Sequence, residues 1–188
     1  MPPRLVAFLG DSLTAGWGLE ANAAYPALVG AELAAVGTPV DVLNAGVSGD
    51  TAAQGLSRLD GVLARHPALV VVALGTNDAL RGLPPAALET TLVEILTRCR
   101  AAGAGVLLVG MRFGTWLAPA EAGRYEAVYS RIAVRLAVPL LPNLLLGVAG
   151  EPTLCFPDRL HPNAAGQRRI AATVYQAVQS LLGKLPRV

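Results

Sequence analysis

The sequence predicts a three-layer α/β/α sandwich around a five-stranded parallel sheet, and three observations carry that expectation. The 188 residues are 53% hydrophobic and only 15% charged, with a mean hydropathy of +0.50. Yet the longest stretch without a charge, residues 136–150, is interrupted by Pro139 and Pro142 and is too short to cross hydrocarbon. High hydropathy without a membrane span points to strands buried on both faces, as in a parallel sheet covered by helices. The third observation is an alternation along the chain of short apolar runs with helix-period segments and no internal repeat. The length suits a single domain over residues 1–188.

Taken in order, the candidate strands are residues 5–9, 40–44, 69–74, 105–110 and 138–141, each short and rich in Val or Leu. The helical segments between them show apolar spacings of three and four. The first carries Tyr25, Leu28, Val29, Leu33 and Val36, and the second Leu56, Leu59 and Leu63. The third opens at Pro84-Pro85, which a helix N-terminus accepts, and places Leu88, Leu92, Ile95, Leu96 and Cys99 on one face. The fourth carries Tyr125, Val128, Tyr129, Ile132 and Leu136, and the last Ile170, Val174, Val178, Leu181 and Leu182. Five strands, each followed by a helix, specify parallel crossovers.

Composition excludes several classes of function. A chain this apolar can offset its ordering entropy, so disorder is excluded. Fifteen basic against thirteen acidic residues leave a net charge of +2, with no basic run longer than Arg168-Arg169, so no nucleic-acid footprint is expected. All the basic residues except Lys184 are arginine, which reads as compositional bias. Two cysteines, Cys99 and Cys155, make neither a disulfide framework nor a metal cluster; Cys155 reads as a packed thiol, and the sequence leaves open whether the two pair. The N-terminus shows no signal-peptide pattern, so the chain as written reads as cytoplasmic; a mature periplasmic or secreted form would read the same.

In an open α/β sheet, ligands bind beyond the carboxyl ends of the strands, so function is expected in the segments that follow them. Those segments are Gly10-Asp11-Ser12-Leu13-Thr14-Ala15-Gly16, Asn44-Ala45-Gly46-Val47-Ser48-Gly49-Asp50-Thr51, Gly75-Thr76-Asn77-Asp78 and Asp158-Arg159-Leu160-His161-Pro162. Neither phosphate-cradling glycine pattern is present. A serine on a tight strand-to-helix turn is a candidate nucleophile, though Ser12 would also serve as a helix N-cap. Of the two histidines, His66 sits at a helix end before Pro67, where a cation complements the dipole. His161 is then the candidate base, and Asp158, three residues earlier, can fix its tautomer. Gly49 can offer an unobstructed N–H and Asn77 a side-chain amide to a developing oxyanion. Asp11 and Asp78 read as loop braces, because a further free acid beside the nucleophile would oppose that charge.

At these residues the chain resembles the SGNH, or GDSL, hydrolases. All four blocks match in order: Gly10-Asp11-Ser12-Leu13, Gly49, Gly75-Thr76-Asn77-Asp78 and Asp158-Arg159-Leu160-His161. The longer stretch from Asn44 to Leu59, with Ala24-Tyr25-Pro26-Ala27-Leu28 and Leu80-Arg81-Gly82, is similar to the bacterial branch of thioesterase I/lysophospholipase and arylesterase enzymes. That extends the likeness over nearly the whole chain. The resemblance implies the flavodoxin-like SGNH hydrolase fold, with Ser12 as nucleophile and His161 and Asp158 as base and orienter. It implies the Ser12 N–H, Gly49 and Asn77 as oxyanion hole, an ester or thioester substrate, and no cofactor or metal. Two positions depart from the branch: Thr76 stands where a second glycine is common, and Arg159-Leu160 where a Gly-Ile pair is common.

The expected activity is hydrolysis of carboxylic esters or acyl thioesters of small to medium acyl chains in a shallow, open cleft. Trp17, Phe113, Trp116 and Leu117 are candidates for the acyl-binding wall, with ordinary core packing the alternative for the last three. A carbohydrate O-deacetylase on the same fold, and a non-catalytic flavodoxin-like binding domain, are the competing readings. The sequence leaves oligomeric state open.

Overall fold

In the computed structural model, which describes residues 3–114 and 117–185, five strands form one sheet. They are β1 (Arg4–Gly10), β2 (Val40–Gly46), β3 (Leu69–Ala73), β4 (Gly105–Val109) and β5 (Leu140–Leu141). Their spatial order is β2-β1-β3-β4-β5, and every pairing is parallel. From β1, one strand in from the edge, the chain winds outward to β2 and returns to the other side of β1 at β3. The winding direction therefore reverses between β1 and β3, which is where such sheets open a ligand crevice.

Among the described residues eight α-helices accompany the strands, seven between strands and the last after β5: α1 (Ser12–Ala15), α2 (Tyr25–Ala35), α3 (Ala52–Ser57), α4 (Leu59–Leu63), α5 (Thr76–Leu80), α6 (Pro85–Ala101), α7 (Pro119–Leu136) and α8 (Ala164–Lys184). α2 packs on α8, while α6 packs on α3 and α7, so two helical layers enclose the sheet. β3 is buried along its whole length. The core runs through both layers, from Phe8, Leu33 and Val174 to Leu92, Ile95 and Ile132. The three-layer sandwich expected from the alternation of apolar runs is the observed fold.

Departures from the expected elements have local causes. β5 shrinks to two residues, because Pro139 and Pro142 flank it and lack the N–H a ladder requires. The edge strands β2 and β5 are only partly buried. The helix expected across Leu56, Leu59 and Leu63 is two helices, α3 and α4, separated at Arg58 with φ −109° and ψ 5°. Val36 is not on the apolar face of α2. It is the C-cap residue and is exposed.

Candidate active site

β1 ends at Gly10, and the chain turns at once into α1. Asp11, not Ser12, is the N-cap: its Oδ1 accepts the Leu13 N–H at 3.0 Å, leaving Ser12 as the first helical residue. A helix of four residues cannot satisfy its own carbonyls. Side chains from elsewhere do so, with Gln167 Nε2 of α8 donating to Leu13 O at 3.1 Å and Asn44 Nδ2 of β2 donating to Thr14 O at 2.9 Å. The serine turn is thereby pinned to both neighbours.

His161 and Asp158 lie on the loop before α8. An antiparallel bridge between Cys155 and Pro162 closes that loop, with Phe156 N–H donating to His161 O at 2.8 Å. Asn163 caps α8 through its Oδ1, and its Nδ2 holds the Thr153 and Cys155 carbonyls. Within the loop, Asp158 Oδ1 accepts the Leu160 and His161 N–H groups at 2.9 and 3.0 Å, and Oδ2 lies 2.7 Å from His161 Nδ1. His161 Nε2 lies 3.0 Å from Ser12 Oγ. Desolvation alone would raise the Asp158 pKa. The hydrogen bonds from the His161 ring and from the His161 and Leu160 amides, with the attraction of the imidazole, outweigh it and hold the carboxyl below its ordinary range.

The opposite wall comes from the loops after β2 and β3. Gly49 adopts φ +85°, a conformation that favours glycine, and its carbonyl accepts from Arg81 at 2.6 Å. Asn77, in α5, donates through Nδ2 to the Asp50 carbonyl at 3.0 Å and to Asp11 Oδ2 at 3.4 Å. Among the described residues, the N–H groups of Ser12 and Gly49 donate to no protein acceptor. Arg58 ties the crevice together from behind, bonding Asp50 Oδ2 at 2.7 Å, Ala45 O at 2.7 Å and Gly10 O at 2.9 Å. The Arg58 break between α3 and α4 thus coincides with a clasp across the ends of β1 and β2.

Asp11 and Asp78 are braces. Asp78 Oδ2 accepts the Ala52 N–H at 2.9 Å, holding the start of α3, where Thr51 and Gln54 form a reciprocal capping box. Burial pushes the Asp78 carboxyl up. Burial likewise pushes Asp11 up to about 7, with repulsion from Asp78 and Asp50 adding, against the Leu13 N–H that favours the anion.

The cleft has a volume of about 290 Å³, and its lining includes Ser12, Trp17, Gly49, Asn77, Leu160 and His161. Trp17 is therefore at the site. Phe113 and Leu117 instead line a separate depression with Pro119, Ala122 and Glu126, and pack against the core. Trp116 lies outside the described residues. Sequence reasoning did not assign Leu80, Leu160, Ser48 or Thr76 to the cleft; they line it because they adjoin the motif residues. His66 is exposed, in a left-handed conformation (φ 52°) at the far edge of the sheet, beside Arg4 and Asp41. Both cysteines are free and buried.

A parallel sandwich with a serine, a histidine, an aspartate and amide donors gathered at its strand reversal has the architecture of an SGNH hydrolase. The chain belongs to the GDSL-like lipase/acylhydrolase family, whose model matches residues 8–169. It is 39% identical over 175 residues to a Pseudomonas aeruginosa protein named esterase TesA, covering 93% of this chain and 87% of that one. It is 40% identical over 180 residues to the Escherichia coli K12 protein named thioesterase 1/protease 1/lysophospholipase L1, covering 93% and 83%. A crystal structure of TesA superposes with a TM-score of 0.91 at 37% identity, covering 95% of this chain and 99% of that one.

Proposed function

We propose that the chain works as a single serine hydrolase domain, cleaving carboxylic esters or acyl thioesters of small to medium acyl chains. The observation that carries the reading is the continuous contact Asp158 Oδ2 – His161 Nδ1 at 2.7 Å and His161 Nε2 – Ser12 Oγ at 3.0 Å, opening into the cleft. With its proton on Nδ1, held by Asp158, the imidazole accepts the Ser12 hydroxyl proton at Nε2. Ser12 Oγ then attacks the acyl carbon. The Ser12 and Gly49 N–H groups and Asn77 Nδ2 receive the negative charge that collects on the carbonyl oxygen. The leaving alcohol or thiol departs with the proton from His161. Water, deprotonated by the same nitrogen, attacks the acyl-Ser12 ester, and the acid is released as the proton returns to Ser12 Oγ. This sequence uses only groups of the chain itself, with no metal or organic cofactor.

The names of the two curated relatives support an ester or thioester as substrate. A cleft of about 290 Å³, at the small end of ligand pockets, supports short and medium acyl groups. No described helix is long and apolar enough to cross a membrane. Stoichiometric labelling by a fluorophosphonate, abolished in Ser12→Ala, tests the mechanism, and equal labelling of both proteins would refute it. A panel of p-nitrophenyl esters, acyl thioesters and acetylated sugars tests the substrate class. A strong preference for long chains would refute the small-cleft reading, and cleavage of sugar acetates alone would replace it.

A further inference from the structure

The two hydrogen bonds of His161 leave one freedom of its ring unconstrained. Asp158 holds Nδ1 and Ser12 meets Nε2. Both bonds lie at the ring's edge, so neither blocks rocking about the line that joins them. Trp17 fills that gap. Its indole stacks on the imidazole with ring centroids 4.3 Å apart and an interplanar angle of 27°. Phe156, from the histidine loop, meets Trp17 edge-on at 5.7 Å and 87°, buttressing the indole. The stack is built into the serine turn. Trp17 N–H donates to Ser12 O at 3.1 Å, and Gly16 and Gly18, at φ 78° and 75°, flank the tryptophan. One turn of chain therefore sets the position of both the serine and the ring that covers the histidine.

We propose that Trp17 is a positioning residue for His161: its indole face fixes the plane in which Nε2 reaches Ser12 and stabilises the ring once it holds the serine proton. The second effect follows from the charge distribution of the indole, whose π face is the most attractive of the aromatic side chains to a cation. It matters here because Asp158, at 37% side-chain exposure, is partly screened by water. The groups facing the imidazole are thus Asp158 at one nitrogen, Ser12 at the other and Trp17 on one face. The proposal rests on the hydrolase reading of the site, and its role for Trp17 goes beyond that of a substrate wall.

Two arms test it. In the first, kcat and KM are measured for Trp17→Phe, which keeps an aromatic face, and Trp17→Leu, which keeps apolar cover alone. Trp17→Leu is expected to lower kcat about 3- to 10-fold for every acyl length, with Trp17→Phe restoring most of the loss. A raised KM with unchanged kcat in Trp17→Leu would make Trp17 a wall only and overturn the proposal. The second arm reads the stack without catalysis and decides the matter should Trp17→Leu not fold. The chain has two tryptophans, so Trp116→Phe leaves Trp17 as the sole tryptophan, and its emission is read under excitation at the red edge of the indole band, where tyrosine does not absorb. A protonated imidazole in contact quenches indole, so Trp17 emission is expected to fall on acidification, and the fall to vanish when His161→Gln is added. An identical titration with Gln at position 161 would overturn the stack. Ser12→Ala separates the two readings: if it hydrolyses esters as the parent does, the reading of Ser12 as the nucleophile fails while the emission arm still decides the stack.

Discussion

Replacing Asn77 with alanine separates the two roles that the proposed mechanism gives one amide. Its Nδ2 carries two protons. One goes to the Asp50 carbonyl at 3.0 Å, a bond of ordinary length. The other points toward Asp11 Oδ2 at 3.4 Å, beyond the usual range for an N–H···O contact. Its acceptor, pushed up to about 7, is only partly anionic at neutral pH. The second proton is therefore only weakly committed and can be given up to an oxyanion at little cost, while the first keeps the amide aimed. Loss of such a donor lowers kcat by about 10²–10³, or about 2.7–4 kcal/mol of transition-state stabilisation. Loss of the Asp50 bond costs the fold only about 1 kcal/mol, and a chain of this length then melts about 2–4 °C lower. The assay pairs kcat on p-nitrophenyl butyrate with a thermal melt. A melt lowered as expected but with kcat within about threefold of the parent would make Asn77 a strut between loops, and the oxyanion assignment would be wrong.

Two other perturbations test the scaffold behind the site. Because the folded state raises the Asp11 carboxyl from 3.8 to about 7, it favours the protonated form; the contribution of this one group to the parent's stability is thus fully present below the ordinary carboxylate value and is lost as pH rises through about 7. Asn caps a helix as well as Asp does, so urea unfolding of Asp11→Asn is expected to lack this decline. A parallel decline in both proteins would show that Asp11 is not its source. Arg58→Ala leaves the buried Asp50 carboxylate and the Gly10 and Ala45 carbonyls without their partner. With Arg58 itself 27% exposed, the cost is roughly 2 kcal/mol after allowance for solvent screening, read as a melt about 4–8 °C lower; an unchanged melt would refute the clasp.

The layers of the fold were legible because burial on both faces leaves a plain trace: the four residues Leu69, Val70, Val71 and Val72 have no polar neighbour to interrupt them. The crevice was legible for a different reason. Parallel strands deliver their carboxyl ends to one edge, so motifs scattered from Ser12 to His161 converge there by topology alone. What the sequence hid are contacts set by side-chain direction. Leu56, Leu59 and Leu63 keep helical spacing across the Arg58 break, so spacing cannot reveal it. Phe113 and Leu117 follow β4 at the same edge as the serine, yet their loop carries them to a different depression. The N-cap fell to Asp11 over Ser12 because both are good caps and only the turn's geometry chooses. The stacking of Trp17 on His161, 144 positions apart by their numbers, has no signature in either neighbourhood.

The loop that carries Asp158 and His161 is closed on itself and fastened to α8, whereas Ser12, Gly49 and Asn77 belong to the edge of the sheet. Acid and base therefore travel as one piece, and changes in the loop's interior leave their mutual spacing to the loop's own amides. For that piece to serve, its anchor at Asn163, its closure between Cys155 and Pro162 and the distance from His161 to Ser12 must be kept. Exposed Arg159, held at φ 57° between Asp158 and His161, adjoins Leu160 of the cleft lining, where a charge can be exchanged without rebuilding a strand. The loop can thus vary beside the cleft while the sheet edge that carries Ser12 stays as it is.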